Sequence, residues 1–184
     1  MLVVAERQPS LVQAARAGNP DAWEALFHRY QLPLYVYLVE LVHDRQTSLD
    51  LVQETFVNAA RHLDTLRADD KFGSWLFSIA HQKWLQYARK RRLETVSLDD
   101  GMLEIPDADA TTPETWLLRQ EQAASFLALL QRLPAAHRAV LLLHFVEDFS
   151  LHDIARITGT PVGTVKSRLH YAKQTLRKLI EDQP

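Results

Sequence analysis

The sequence contains no cysteine, so neither a disulfide nor a thiolate zinc site can hold its fold. Glycine is scarce, with 5 among 184 residues, and no long run alternates β-branched with polar residues. That pattern favours an all-helical protein. No apolar stretch is long enough to cross a bilayer. The opening MLVVAERQPS lacks the basic flank and apolar core of a secretory signal. A soluble, cytoplasmic protein without membrane insertion is the expectation. A strong net charge is missing too, since 21 basic and 23 acidic residues leave −2.

That average hides an asymmetry, and the distribution of charge matters more than its sum. Arg89, Lys90, Arg91 and Arg92 form one basic cluster, and Lys166, Arg168, Lys173, Arg177 and Lys178 form another. Between them, Leu93 to Glu121 carries eight acids against the single base Arg119. The layout is basic, acidic, basic.

Helical spacing organises the rest. Leu11 to Ala17 reads as a short helix stopped by Gly18. Asp21 to Val42 reads as a longer one in which Pro33 predicts a kink or break. Thr47, with Asp50 three residues on, is the expected cap of the next helix, which carries Leu51, Val52, Phe56 and Ala59. Phe72 to Arg92 follows, with Trp75, Leu76, Ile79, Ala80 and Trp84 directed inward. Residues 93–113 hold Gly101, Pro106, Pro113 and most of the acids, and read as a flexible linker. Helical character returns from Glu114 to Arg132 and from Ala135 to Val146. The expected architecture is all-α, with two small helical domains at 10–92 and 114–182 joined by the acidic linker.

The segment SLHDIARITGTPVGTVKSRLHYAKQTLRKL, Ser150 to Leu179, reads as a helix–turn–helix. Ser150 caps its first helix with Asp153 at the box position, Gly159 makes the turn, and Pro161 opens the second helix. In that second helix Val162, Val165, Leu169, Ala172 and Leu176 share a face. The opposite face shows Gly163, Ser167, His170 and Gln174, flanked by Thr164, Tyr171, Lys166 and Lys173. Small residues permit close approach, donors read base edges, and lysines and arginines hold phosphates.

PVGTVKSRLHYAKQTLRKL, preceded by LPAAHRAVLLLHFVEDFSLHDIA, resembles the fourth region of bacterial sigma factors of the extracytoplasmic-function (ECF) class. DLVQETFVNAARHL (Asp50 to Leu63) and FGSWLFSIAHQKWLQYARKRR (Phe72 to Arg92) resemble the second region of the same family. The resemblance implies an alternative sigma factor that directs RNA polymerase to promoters and helps open them. It places Asp50, Gln53 and Glu54 on the polymerase clamp helices, and the C-terminal domain on the flap and an element about thirty-five bases upstream of the start. Thr164, Lys166, Ser167, Arg168, His170, Tyr171 and Lys173 are the candidates for that −35-type element, Arg168 as a phosphate contact. Lys71, Phe72, Gln82, Lys83, Gln86 and Arg89 are those for the −10-type element, where aromatic stacking, small pockets and phosphate contacts hold unpaired bases. Gln82 stands where the family commonly has Asn. The resemblance further implies an anti-sigma factor as a partner.

Two other function classes compete with this reading. A helix–turn–helix regulator acting without polymerase predicts a closed ligand pocket and dimerisation on a two-fold operator, and leaves the second basic cluster unexplained. A helical metalloenzyme has His144 and Asp148 at i, i+4 and scattered His43, His62, His81, His137 and His152, with no H-E-x-x-H pattern. No catalytic residue, metal or cofactor is therefore assigned.

Overall fold

The computed structural model describes the backbone of residues 8–96 and 128–181, with side chains over 11–93 and 128–181. All the regular structure there is helical. Most of the acidic segment, and the start of the helix expected from Glu114, lie outside the described residues.

The first half comprises α1 (Gln8–Arg16), α2 (Pro20–Val42), α3 (Arg45–His62) and α4 (Phe72–Val96), with 3-10 turns at Leu63–Thr65 and Asp69–Lys71. Gly18, at φ +84°, turns the chain after α1. Asn19 then caps α2, its side chain accepting from the backbone N–H groups of Asp21 (2.9 Å) and Ala22 (3.3 Å).

Two expectations are corrected here. Pro33 does not break α2, which is continuous for 23 residues. Leu26 before it and Leu34, Tyr37 and Leu38 after it are buried in one core. Their burial, about 1.5–3 kcal/mol for each large side chain, outweighs the proline penalty of about 3 kcal/mol. The cap of α3 is Asp44 instead of Thr47: the Asp44 carboxylate accepts from the Thr47 backbone N–H at 2.7 Å. Starting earlier also buries Ser48, whose hydroxyl donates to the Asp44 carbonyl at 2.6 Å.

Phe72 centres an aromatic cluster in this half, with ring centroids 5.5 Å from Tyr30, 5.8 Å from Trp75 and 6.5 Å from Trp23. Gly73 follows because a Cβ there would lie 3.1 Å from the Tyr30 hydroxyl.

The second half contains helical residues 128–131, α5 (Ala135–Phe145), α6 (Leu151–Thr158) and α7 (Val162–Glu181). Ser150 caps α6, accepting from the Asp153 N–H at 3.1 Å and donating to its carboxylate at 2.6 Å. Gly159 takes the left-handed conformation, φ +62°, and its N–H returns to the carbonyls of Ala155 and Arg156. Pro161 lies just before α7, accepting from the Val165 N–H at 3.1 Å. Ile154, Ile157, Val165 and Ala172 are fully buried between these helices.

The two halves pack together, α4 against α6 and α2 against α5. Phe77 of α4 meets Phe149 edge to face at 5.2 Å. Lys71 lies 3.6 Å from the Asp153 carboxylate. The deepest link is Arg138 of α5, 4% exposed. Its guanidinium donates to the carbonyls of Leu130 (2.9 Å), Gln131 (3.0 Å) and Leu133 (2.9 Å) in its own half. Across the seam it donates to the Glu40 carbonyl and the His43 Nε2 at the end of α2. A buried cation is tolerated because every donor of the rigid fork finds an acceptor at a negative helix end.

Candidate nucleic-acid interface

The α3–α4 pair carries two adjoining grooves. Asp50, Gln53 and Glu54 are all exposed and line the first, side by side on α3. Beside them Leu32 and Leu49 remain exposed at 65% and 42%, giving an apolar strip that runs on to Tyr35. Gln46 donates to the Asp50 carboxylate at 3.2 Å, holding it outward.

Gln82, Lys83 and Gln86 of α4 meet in the second groove, together with Asn58, Ser78 and Ile79. Lys83 and Asn58 border both grooves. The Lys83 ammonium forms an ion pair with Glu54 at 2.8 Å, so a candidate DNA contact is tied to a candidate polymerase contact. Arg89 is exposed three residues beyond Gln86. The remaining two candidates stand elsewhere. Lys71 is engaged by Asp153, and Phe72, at 0% exposure, has no surface with which to stack on a base.

Asp153 is itself held ionised. Burial would raise its pKa, but hydrogen bonds from Ser150 and Arg156 and the charges of Lys71 and Arg156 lower it instead.

On α7, Lys166, Ser167, His170, Tyr171 and Lys173 are exposed, Thr164 is half-buried, and Val165, Leu169 and Ala172 are buried. The helical projection of this face is therefore correct. The Ser167 hydroxyl donates to the Thr164 carbonyl at 3.0 Å. Tyr171 stacks on His137 of α5, with centroids 6.4 Å apart and 13° between planes. Lys173 sits 4.9 Å above the Phe145 ring. Arg168 is half-buried and turned towards α4, where its charge acts on His81.

His81 is buried beneath that arginine, with its Nδ1 and the Tyr37 hydroxyl hydrogen-bonded at 2.7 Å. Burial first, and the Arg168 charge second, lower its pKa to about 4. Asn58, at the border of both grooves, and His137, stacked on Tyr171, were not among the candidates from the sequence. The position of Asn58, one turn after Glu54, was a usable signal, whereas the contact between His137 and Tyr171 has no local signature. Among the described residues no three His, Asp or Glu side chains gather as a metal site, and no helix is long and apolar enough to cross a membrane.

Residues 26–94 match the family described as Sigma-70 region 2, and residues 123–176 match Sigma-70, region 4. The chain is 33% identical to the RNA polymerase sigma-H factor of Pseudomonas aeruginosa, over 98% of this chain and 97% of that one. It is 30% identical to the ECF RNA polymerase sigma-E factor of Haemophilus influenzae, over 94% of each. The chain belongs to the ECF sigma factors.

This sigma factor is an alternative initiation factor for transcription by RNA polymerase, and the regulator acting without polymerase is not favoured. Sigma factors of this kind are initiation factors, not catalysts. The fold agrees. The structure of the sigma factor RpoE in complex with the anti-sigma factor NepR from Bartonella quintana matches with a TM-score of 0.69 and 26% identity, over 88% of this chain and 99% of that one.

Proposed function

We propose that residues 10–92 form the domain that docks on the polymerase clamp helices and takes the −10-type element. Residues 114–182 form the domain for the flap and the −35-type element, and 93–113 are the tether. Asp50, Gln53 and Glu54 face the clamp, with the exposed Leu32 and Leu49 supplying apolar contact beside their charge. Gln82, Lys83, Gln86 and Arg89 take −10-type DNA. Phe72 is omitted from that set because its ring is in the core.

Ser167 and His170 read the −35-type element with Thr164 and Tyr171, while Lys166, Lys173 and Arg168 hold its phosphates. Lys71 reaches DNA after leaving Asp153 in the opposite half, and Arg168 after turning away from α4. An anti-sigma factor is a further partner, supported by the complex in which the solved relative is found. The site of action is the cytoplasm, where the polymerase works.

The observation that carries this reading is the pair of adjoining grooves on α3 and α4, one bearing exposed carboxylates and the other amides and a lysine. The test is complex formation with bacterial core RNA polymerase, followed by transcription from a pool of promoter fragments. Asp50→Ala with Glu54→Ala should weaken the complex. Ser167→Ala or His170→Ala should change promoter choice with the complex intact. A chain that ignores polymerase and binds a palindromic DNA as a dimer would overturn the assignment.

A further inference from the structure

The groove between α3 and α4 has an unassigned member. Asn58 is half-buried on α3 and borders the groove from the side opposite Gln82 and Gln86. Among the described residues, none of these three amides has a hydrogen-bond partner. Each offers a carbonyl acceptor beside an N–H donor. Ile79 supplies an apolar wall and Lys83 a cation at the rim.

Three unengaged amides converging from two helices are unlike a solvated helix face, where polar groups diverge. A base edge inside a stacked duplex cannot enter a concave groove between two helices. A single base extruded from the stack can, and its hydrogen-bonding edge then meets the amides while its face lies on Ile79. We propose that Asn58 is a specificity-determining residue for promoter DNA, reading one unpaired nucleobase together with Gln82 and Gln86. The proposal rests on the assignment of Gln82, Lys83 and Gln86 to the −10-type element, and adds a reader from the helix that also carries the polymerase-docking carboxylates.

Its position bordering both grooves gives the test two readouts. Holoenzyme assembled from the full chain and core RNA polymerase is presented with promoters randomised through the −10-type element, using wild type, Asn58→Ala and Gln82→Ala. Alanine is the best helix former and the Asn58 amide holds no hydrogen bond within the fold, so the fold should be retained. Asn58→Ala is expected to keep its affinity for core polymerase within about twofold. It should lower discrimination among the four bases at one position by about tenfold, the scale of one lost bidentate contact. Unchanged preference in Asn58→Ala, with a shifted preference in Gln82→Ala, would overturn the role of Asn58 and leave the groove assignment standing. Lost affinity for core polymerase with unchanged preference would place Asn58 on the docking face and overturn the proposal. Unchanged preference in both variants would remove the groove from DNA recognition and the proposal with it.

Discussion

The guanidinium of Arg138 donates to the backbone carbonyl of Glu40, 98 positions earlier in the chain. A side chain of the C-terminal half thus caps α2 of the N-terminal half, while its other donors close the helical turn at 128–131 and the loop after it. Packing within the second half and packing between the halves depend on one residue.

Arg138→Lys should therefore be a severe substitution despite keeping the charge. An ammonium cannot span acceptors arranged for a planar fork, and buried carbonyls left unpaired cost about 1–3 kcal/mol each. A fall in urea stability of at least about 2 kcal/mol is expected. A midpoint of unfolding equal to wild type would show that the fork carries no such weight.

Phe72 should behave as a core residue. Phe72→Ala is expected to lose about 3–5 kcal/mol, the usual scale for a buried phenylalanine. The holoenzyme that still forms at low temperature should select the same promoters as wild type. Altered selection with undiminished stability would return the ring to the DNA.

His81 and Glu147 make opposite contributions to the pH dependence of stability. His81 is neutral in the fold, with a pKa of about 4 against an ordinary value of 6.5. The unfolded chain binds the extra proton between these values, so this contribution is complete above about pH 6.5 and is lost as pH falls towards 4. Burial raises Glu147 to about 7 from 4.5, so its contribution is present at pH 4.5 and lost as pH rises to 7. Thermal unfolding of Glu147→Gln should show stability climbing from about pH 4 to 6.5, and His81→Gln should show it declining from about 4.5 to 7. Parallel profiles for the two variants would refute both assignments.

Lys166 and Lys173 should differ from Ser167 and His170 in how salt acts on them. Alanine at either lysine is expected to weaken holoenzyme binding equally across −35-type sequences, and to reduce the salt slope by about one. Alanine at Ser167 or His170 should leave the slope alone and redistribute preference among sequences. Binding measured between low and moderate salt on several promoters separates these cases.

Much of this molecule was legible because its signals are local. The Ser150 cap, the turn at Gly159 and the alternate faces of α7 each depend on residues within two helical turns. The choice between Asp44 and Thr47 was not, since both are good capping types and the burial of Ser48 decided between them. Pro33 obeyed the surrounding core, not its own preference. Phe72 looks like a stacking residue beside Lys71 until Trp23 and Tyr30 are brought over it by the fold. The ties from Lys71 to Asp153 and from Arg138 to Glu40 join distant segments, and no periodicity or motif announces them.

Helix α4 extends for 25 residues, about 37 Å at the usual rise. Leu76 and Ala80 turn into the first-half core, Phe77 turns to the second half, and Gln82 and Gln86 open on the groove shared with α3. An ordinary surface helix keeps one side on which substitutions accumulate harmlessly. Here such free ground is scarce, and a saturation scan should find α4 among the least permissive segments, failing by loss of folding, of closure or of promoter choice according to the side that is changed.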